Sequence, residues 1–330
     1  MATSTNHTYG GSRAWSSAMR TPTTLGSVQR LGLLALGLFW LIDGLLQFQP
    51  YFFRHFVDGV LAPNATAQPG IIGDPITLIV HVLEPVQAPF NAFAAIVEVA
   101  IGLTLLTRRA VKPALLVSFA WALGIWFAGE GLGGIFTGST PNAFTGVIGT
   151  SPLYIVTGLL AWPRAQSDGQ SSAPAGLLGG RGARLVWALL WIAGGALWLF
   201  PANYRPDALH GLFSAAPGGA GWLSTLHSGA ATAVAGDGRA LAIALAVISA
   251  AIGLSVLSNR TERIGLMASI PILLIGWVLA EGFGAVFTGQ ATDIGTSPLL
   301  LLFAFQLFAL TAERTPDSSR LQVAAAGSQA

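Results

Sequence analysis

The chain contains no cysteine in 330 residues. That excludes disulfides, thiolate metal centres, iron–sulfur clusters and thiol catalysis. Charge is almost as scarce, at 9% of residues, where a soluble domain carries about 25%. A soluble fold of this length could not cover its surface with so few charges. Lysine occurs once, at Lys112, against fifteen arginines. The basic residues are too sparse and scattered for nucleic-acid binding. The arginine bias, in a chain rich in alanine and glycine, points to a high-GC bacterium. The sequence also lacks a P-loop, a G-x-G-x-x-G following a strand, and a nucleophile elbow, so no catalytic motif is present.

What is present is apolar sequence. Apolar residues make up 53% of the chain and its mean hydropathy is +0.65. Several runs reach the roughly 20 residues that cross a bilayer core. The pattern predicts an all-α membrane protein with eight transmembrane helices, near 31–49, 88–107, 113–134, 146–162, 183–200, 240–258, 264–284 and 294–311. Residues 1–29 read as a disordered cytoplasmic tail without a signal-peptide pattern, 165–182 as a cytoplasmic linker and 313–330 as a second tail. They flank two membrane units, 30–164 and 183–312. With both termini inside, 13 of the 16 basic residues fall on the cytoplasmic side, leaving Arg54, Arg205 and Arg239 outside. The expected location is a bacterial inner membrane, with the lipid bilayer as the first partner.

The two units repeat each other. AGEGLGGIFTG (128–138) and LAEGFGAVFTG (279–289) share six of eleven positions. Glu130 maps onto Glu281, a shift of 281 − 130 = 151, which also takes IGLTLLTRR (101–109) onto IGLSVLSNR (252–260). It takes Trp40, Gly44 and Pro50 onto Trp191, Gly195 and Pro201. After the glutamate the shift drops to 146, because IGTSPL stands at 148–153 and at 294–299. One offset over most of a chain signals duplication. Four helices per unit is an even number, so the two bundles should be tandem, parallel repeats about an axis along the membrane normal.

The first-helix pattern RLGLLALGLFWLIDG, the run D-G-x-L-Q-x-Q-P from Asp43 to Pro50 and G-E-G-x-G-G from Gly129 to Gly134 resemble the DoxX/DoxD-like membrane proteins, in a tandem-duplicated form. The resemblance covers most of residues 30–312. It implies a quinone-linked or redox-complex membrane subunit, with quinone as the ligand and other membrane or redox subunits as partners. If the chain belongs to an enzyme, the resemblance implies a subunit of a quinone-linked oxidoreductase.

Four carboxylates lie within the predicted helices: Asp43, Glu98, Glu130 and Glu281. Charges at such positions are costly and mark functional sites by default. At a rise of about 1.5 Å per residue, Glu98, Asp43 and Glu130 lie roughly 15, 20 and 27 Å from the cytoplasmic side. The shift of 151 replaces Asp43 by Gly194 and Glu98 by Ser249, and only Glu281 keeps its acid. The chemistry is therefore expected in the first unit, at Asp43, Glu98 and Glu130, with His81 above them. For Glu130 and Glu281, a helix-end hydrogen-bonding role competes with a functional one. ITLIVHVLEPVQAP (76–89) and WLSTLHSGAA (222–231) read as interfacial helices capping each bundle. Of the tryptophans, Trp162, Trp187 and Trp222 fit interfacial belts. The staircase of carboxylates also suits a proton-coupled small-solute transporter or a proton/cation path. Unbroken helices and the absence of inverted symmetry stand against that reading. A non-catalytic membrane scaffold is the third.

Overall fold

The computed structural model describes residues 26–137, 148–163 and 176–314. Nearly all of both predicted tails, most of the linker and the longer outer loop of the first unit lie outside the described residues. Every regular element among the described residues is helical.

We number the helices in chain order. In the first half they are α1 (Ser27–Leu46), α2 (Phe52–Phe56), α3 (Gly70–Leu83), α4 (Gln87–Thr107), α5 (Val111–Gly124) and α6 (Ser151–Ala161). In the second half they are α7 (Gly179–Leu197), α8 (Ala208–Ser214), α9 (Gly221–Ala233), α10 (Gly238–Ser255), α11 (Glu262–Leu279) and α12 (Thr296–Arg314). Each of the eight predicted apolar segments coincides with one of these helices. By length and composition, five stretches suffice to cross a membrane: Val28–Leu46, Gly70–Thr107, Val111–Gly129, Gly238–Ser255 and Glu262–Leu279. The helices at the expected capping stretches are α3, which starts six residues earlier than 76 and ends at Leu83, and α9, which runs longer than 222–231.

Small residues set the closest packing. A side chain at Gly102 would strike the backbone of Gly37 and Leu41, and one at Gly44 would strike Ala95 and Val99. The α1 and α4 backbones therefore touch, as small residues permit in membrane bundles. The second half repeats the contact between α7 and α10. There Gly195 meets Ala246 and Ser249, and Gly253 meets Ala188. Leu33, Leu36, Trp40, Leu105, Leu115 and Leu153 form the core of the first half. Trp187, Trp191, Leu266, Phe303 and Leu307 form that of the second. Trp187 is fully buried here rather than at an interface: its ring packs edge-on against Phe303, 5.3 Å between centroids.

Leu299 and Leu302 of α12 belong to the first core, and Val28 and Leu160 to the second, so the halves interlock along α6 and α12. At that seam Thr150 Oγ1 lies 3.4 Å from Thr296 Oγ1. These are counterparts at the sequence shift of 146 (296 − 150). The halves differ near α7. Arg184, itself partly exposed, donates to the buried Glu262 at Oε2, 2.8 Å, and Oε1, 3.0 Å. The corresponding positions in the first half, Leu33 and Val111, are apolar and buried.

Two predicted helices are shorter than their apolar runs. α6 begins only at Ser151, because Gly149 is left-handed at φ +85° and Pro152 sits in the first turn. α5 loosens into a π-type turn over Ile125–Gly129 and ends at Glu130. Four consecutive left-handed residues follow, Gly131, Leu132, Gly133 and Gly134, with φ from +53° to +68°. The same break follows α11 at Gly282, Phe283, Gly284 and Ala285, with φ from +52° to +67°. The glycine-rich motif is thus a reversal of the chain, and the expectation of unbroken helices is corrected at these two ends.

Candidate functional site

A cavity of about 260 Å³ lies within the first half. Helical periodicity brings its residues together. Trp40, Asp43 and Gln47 share one face of α1, and Phe90, Ala94 and Glu98 share one face of α4. Trp121, Ile125 and Ala128 come from α5 and its π-type turn, Ser151 and Tyr154 from α6. Phe56, Leu61, Ile79 and Leu83, from the outer segment between α1 and α4, close the apolar side.

Asp43 and Glu98 are buried, each 3% exposed. The Tyr154 hydroxyl donates to Asp43 Oδ2, and the Trp121 indole N–H donates to Glu98 Oε1 at 3.1 Å. Their other oxygens, Asp43 Oδ1 and Glu98 Oε2, are buried without a partner, as is Gln47 Oε1. A buried acceptor left unpaired costs about 1–3 kcal/mol, and more when charged. Among the described residues lining the cavity, none is lysine, arginine or histidine.

Glu130 also lines the cavity, but its carboxylate is engaged. It accepts from the Thr150 N–H at 3.2 Å, the Ser151 N–H at 3.0 Å and the Ser151 hydroxyl at 2.9 Å. These donors open α6, where free N–H groups and the helix dipole favour a negative group. Glu281 does the same at α12, accepting from the Ser297 N–H at 3.2 Å and hydroxyl at 2.9 Å. Both glutamates therefore anchor a helix start across the chain reversal, and Glu130 additionally faces the cavity.

The fourth acid of the cavity, Asp293, was not foreseen. It comes from the second half, in the loop before α12, and lines the cavity beside Thr292. Gly295 N–H donates to its Oδ1 at 2.7 Å and Thr292 hydroxyl to its Oδ2 at 3.1 Å. Burial pushes its carboxyl above the usual range. The signal was in the repeat: Asp293 directly precedes the second IGTSPL, where the first copy has Val147. Tyr154 was equally legible, since its counterpart at 154 + 146 is Leu300.

His81 does not join the site. It is exposed, and its Nδ1 lies 2.8 Å from the Thr77 carbonyl. It stands at i+4 on its own helix, so a backbone contact along α3 holds the ring outside the cavity. The other described histidines are engaged elsewhere: His55 pairs with Asp58 on its own turn, His210 reaches the Ala231 carbonyl, and His227 reaches the Val278 carbonyl of α11.

A second cavity, of about 60 Å³, occupies the other half. Trp191, Gly194, Trp198, Leu245, Ser249 and Ile272 line it with Leu300. These are the counterparts of Trp40, Asp43, Gln47, Ala94, Glu98, Trp121 and Tyr154. The same place in the second half is therefore small and free of acid. Comparison with family models, curated proteins and solved structures finds no match for this chain.

Proposed function

We propose that the chain is an eight-span protein of a bacterial cytoplasmic membrane, with both termini inside, built from two tandem four-helix halves. Its first half binds a small lipid-soluble molecule whose polar end exchanges protons with Asp43 and Glu98. The resemblance to DoxX/DoxD-like proteins suggests the ligand class, a quinone and its quinol, in a redox-linked membrane complex. One observation carries the reading: two buried carboxyls, each with one oxygen unpartnered, line a cavity walled largely by apolar side chains. A quinol donates through its hydroxyls, and a quinone accepts through its carbonyls. A carboxyl accepts when ionised and donates when protonated, so it can follow the ligand through both forms. Tyr154 and Trp121 each hold one oxygen of an acid and leave the other for the ligand. The left-handed break repeated after Glu130 and Glu281, and the cavity positions that correspond at shifts of 151 and 146, support the tandem arrangement.

The test is binding of a decyl-substituted benzoquinol and its benzoquinone to purified protein in lipid nanodiscs. Both forms are expected to bind, and Asp43→Asn and Glu98→Gln each to weaken the quinol at least about tenfold, ~1.4 kcal/mol. Absence of binding by either form, or affinities untouched by both substitutions, would overturn the proposal.

A second reading, proton-coupled movement of a solute, draws on Asp293 and Glu130. They add two further acids to the cavity from the loop before α12 and the break after α5.

A further inference from the structure

The geometry points to a different ligand for the same cavity: we propose that it is a receptor site for a small amphipathic primary ammonium ion, a protonated amine on an apolar body. The proposal does not rest on the quinol reading. It rests on which hydrogen-bonding groups the protein leaves open and which charges it omits.

Three acceptors stand open. Asp43 Oδ1, Gln47 Oε1 and Glu98 Oε2 are buried, unpartnered and contributed by residues lining one cavity. Asp43 and Gln47 are one helical turn apart on α1. The contact of Gly44 with Ala95 and Val99 brings Glu98 of α4 alongside them. An alkylammonium carries three N–H donors and no acceptor. A neutral hydroxyl could satisfy only one of the three acceptors.

The charge balance agrees. Asp43, Glu98, Glu130 and Asp293 line the cavity, and none of its described lining residues is a cation. Carboxylates buried together are expensive unless they take up a proton or a positive group stands beside them, so a ligand that brings the counter-charge is favoured over a neutral one. The walls suit the remainder of such a molecule. Trp40 and Trp121 present indole rings, which attract a cation across their faces. Phe56, Phe90 and Leu83 add apolar surface to its lining. The second half is the built-in contrast, since Asp43 and Glu98 are replaced there by Gly194 and Ser249 and its cavity is about 60 Å³.

The experiment compares 4-phenylbutylamine with 4-phenylbutan-1-ol, its neutral counterpart, by titration calorimetry on the purified full chain in nanodiscs. The amine is expected to bind at least about tenfold more tightly than the alcohol, ~1.4 kcal/mol. Glu98→Gln and Asp43→Asn should each remove most of that preference by weakening the amine far more than the alcohol. Equal affinity for the two probes in the wild-type protein overturns the proposal, and that comparison requires no variant to fold. A preference that survives both substitutions also overturns it. A preference for the amine without any quinol binding would separate this site from the redox reading, and quinol binding without the preference would do the reverse.

Discussion

Asp43 owes its position to Tyr154. The phenol donates to Asp43 Oδ2, and the backbone of Ile294 also hydrogen-bonds to the carboxyl. Tyr154→Phe is expected to cost about 1–3 kcal/mol, because it removes the one side-chain donor from a buried carboxyl. Asp43→Asn keeps an acceptor for the same hydroxyl and should cost less. Thermal unfolding in detergent checks both, and a Tyr154→Phe protein as stable as wild type would show the bond to be idle. Asp293 gives a pH dependence of defined sign. Its folded carboxyl is held above the ordinary range by burial, so the folded state keeps a proton that the unfolded chain releases. Stability therefore falls as pH rises from about 4, the usual aspartate value, through the raised one. Unfolding temperatures measured across that interval should fall less steeply in Asp293→Asn than in wild type. Identical slopes would mean that Asp293 does not titrate in this way.

The helices were largely legible because their apolar runs are long and their acids rare. Where they stop was not. α6 is only Ser151–Ala161, and α5 gives way at Ile125. Hydropathy passes smoothly through both ends, while the backbone obeys Pro152, left-handed Gly149 and the break at Glu130. The duplicated glutamate is the device that replaces the missing turns. It satisfies the first N–H groups of a helix that starts about twenty residues later. Glu130→Ala and Glu281→Ala are each expected to destabilise the protein by about 1–3 kcal/mol, since each orphans backbone donors at a helix start. Only Glu130→Ala should also change ligand binding, because only Glu130 faces the large cavity. Equal effects of the two substitutions on binding would contradict this division. Gly149→Ala and Gly295→Ala should weaken the same anchors. Both positions have positive φ, +85° and +95°, and a side chain at either would strike the glutamate. The histidine expectation failed for a reason that sequence does not display. One helical face of α3 decides whether position 81 looks inward, and Ile79 and Leu83 took that side.

Across the molecule, the two halves share a backbone plan and differ in their cavities. The difference could be read from the repeat for Asp43 and Glu98. It could not be read for the crossing of Asp293 from the second half into the first half's site, which depends on how α6 and α12 meet. The eight-span arrangement predicts opposite sides for the two kinds of turn. With no native cysteine, single replacements at the exposed residues Asp58, Asp237, Arg109 and Arg260 report this without background. An impermeant thiol reagent applied outside intact cells should label positions 58 and 237 and spare 109 and 260; any other partition would refute the topology. The functional reading turns on one acid in one half. The decisive measurement is therefore the affinity of the purified chain for the decyl-benzoquinol, compared between wild type, Asp43→Asn and Glu281→Gln. We expect a loss of at least about tenfold, ~1.4 kcal/mol, for Asp43→Asn and wild-type affinity for Glu281→Gln. Undiminished binding in Asp43→Asn would contradict a site in the first half built on that carboxyl.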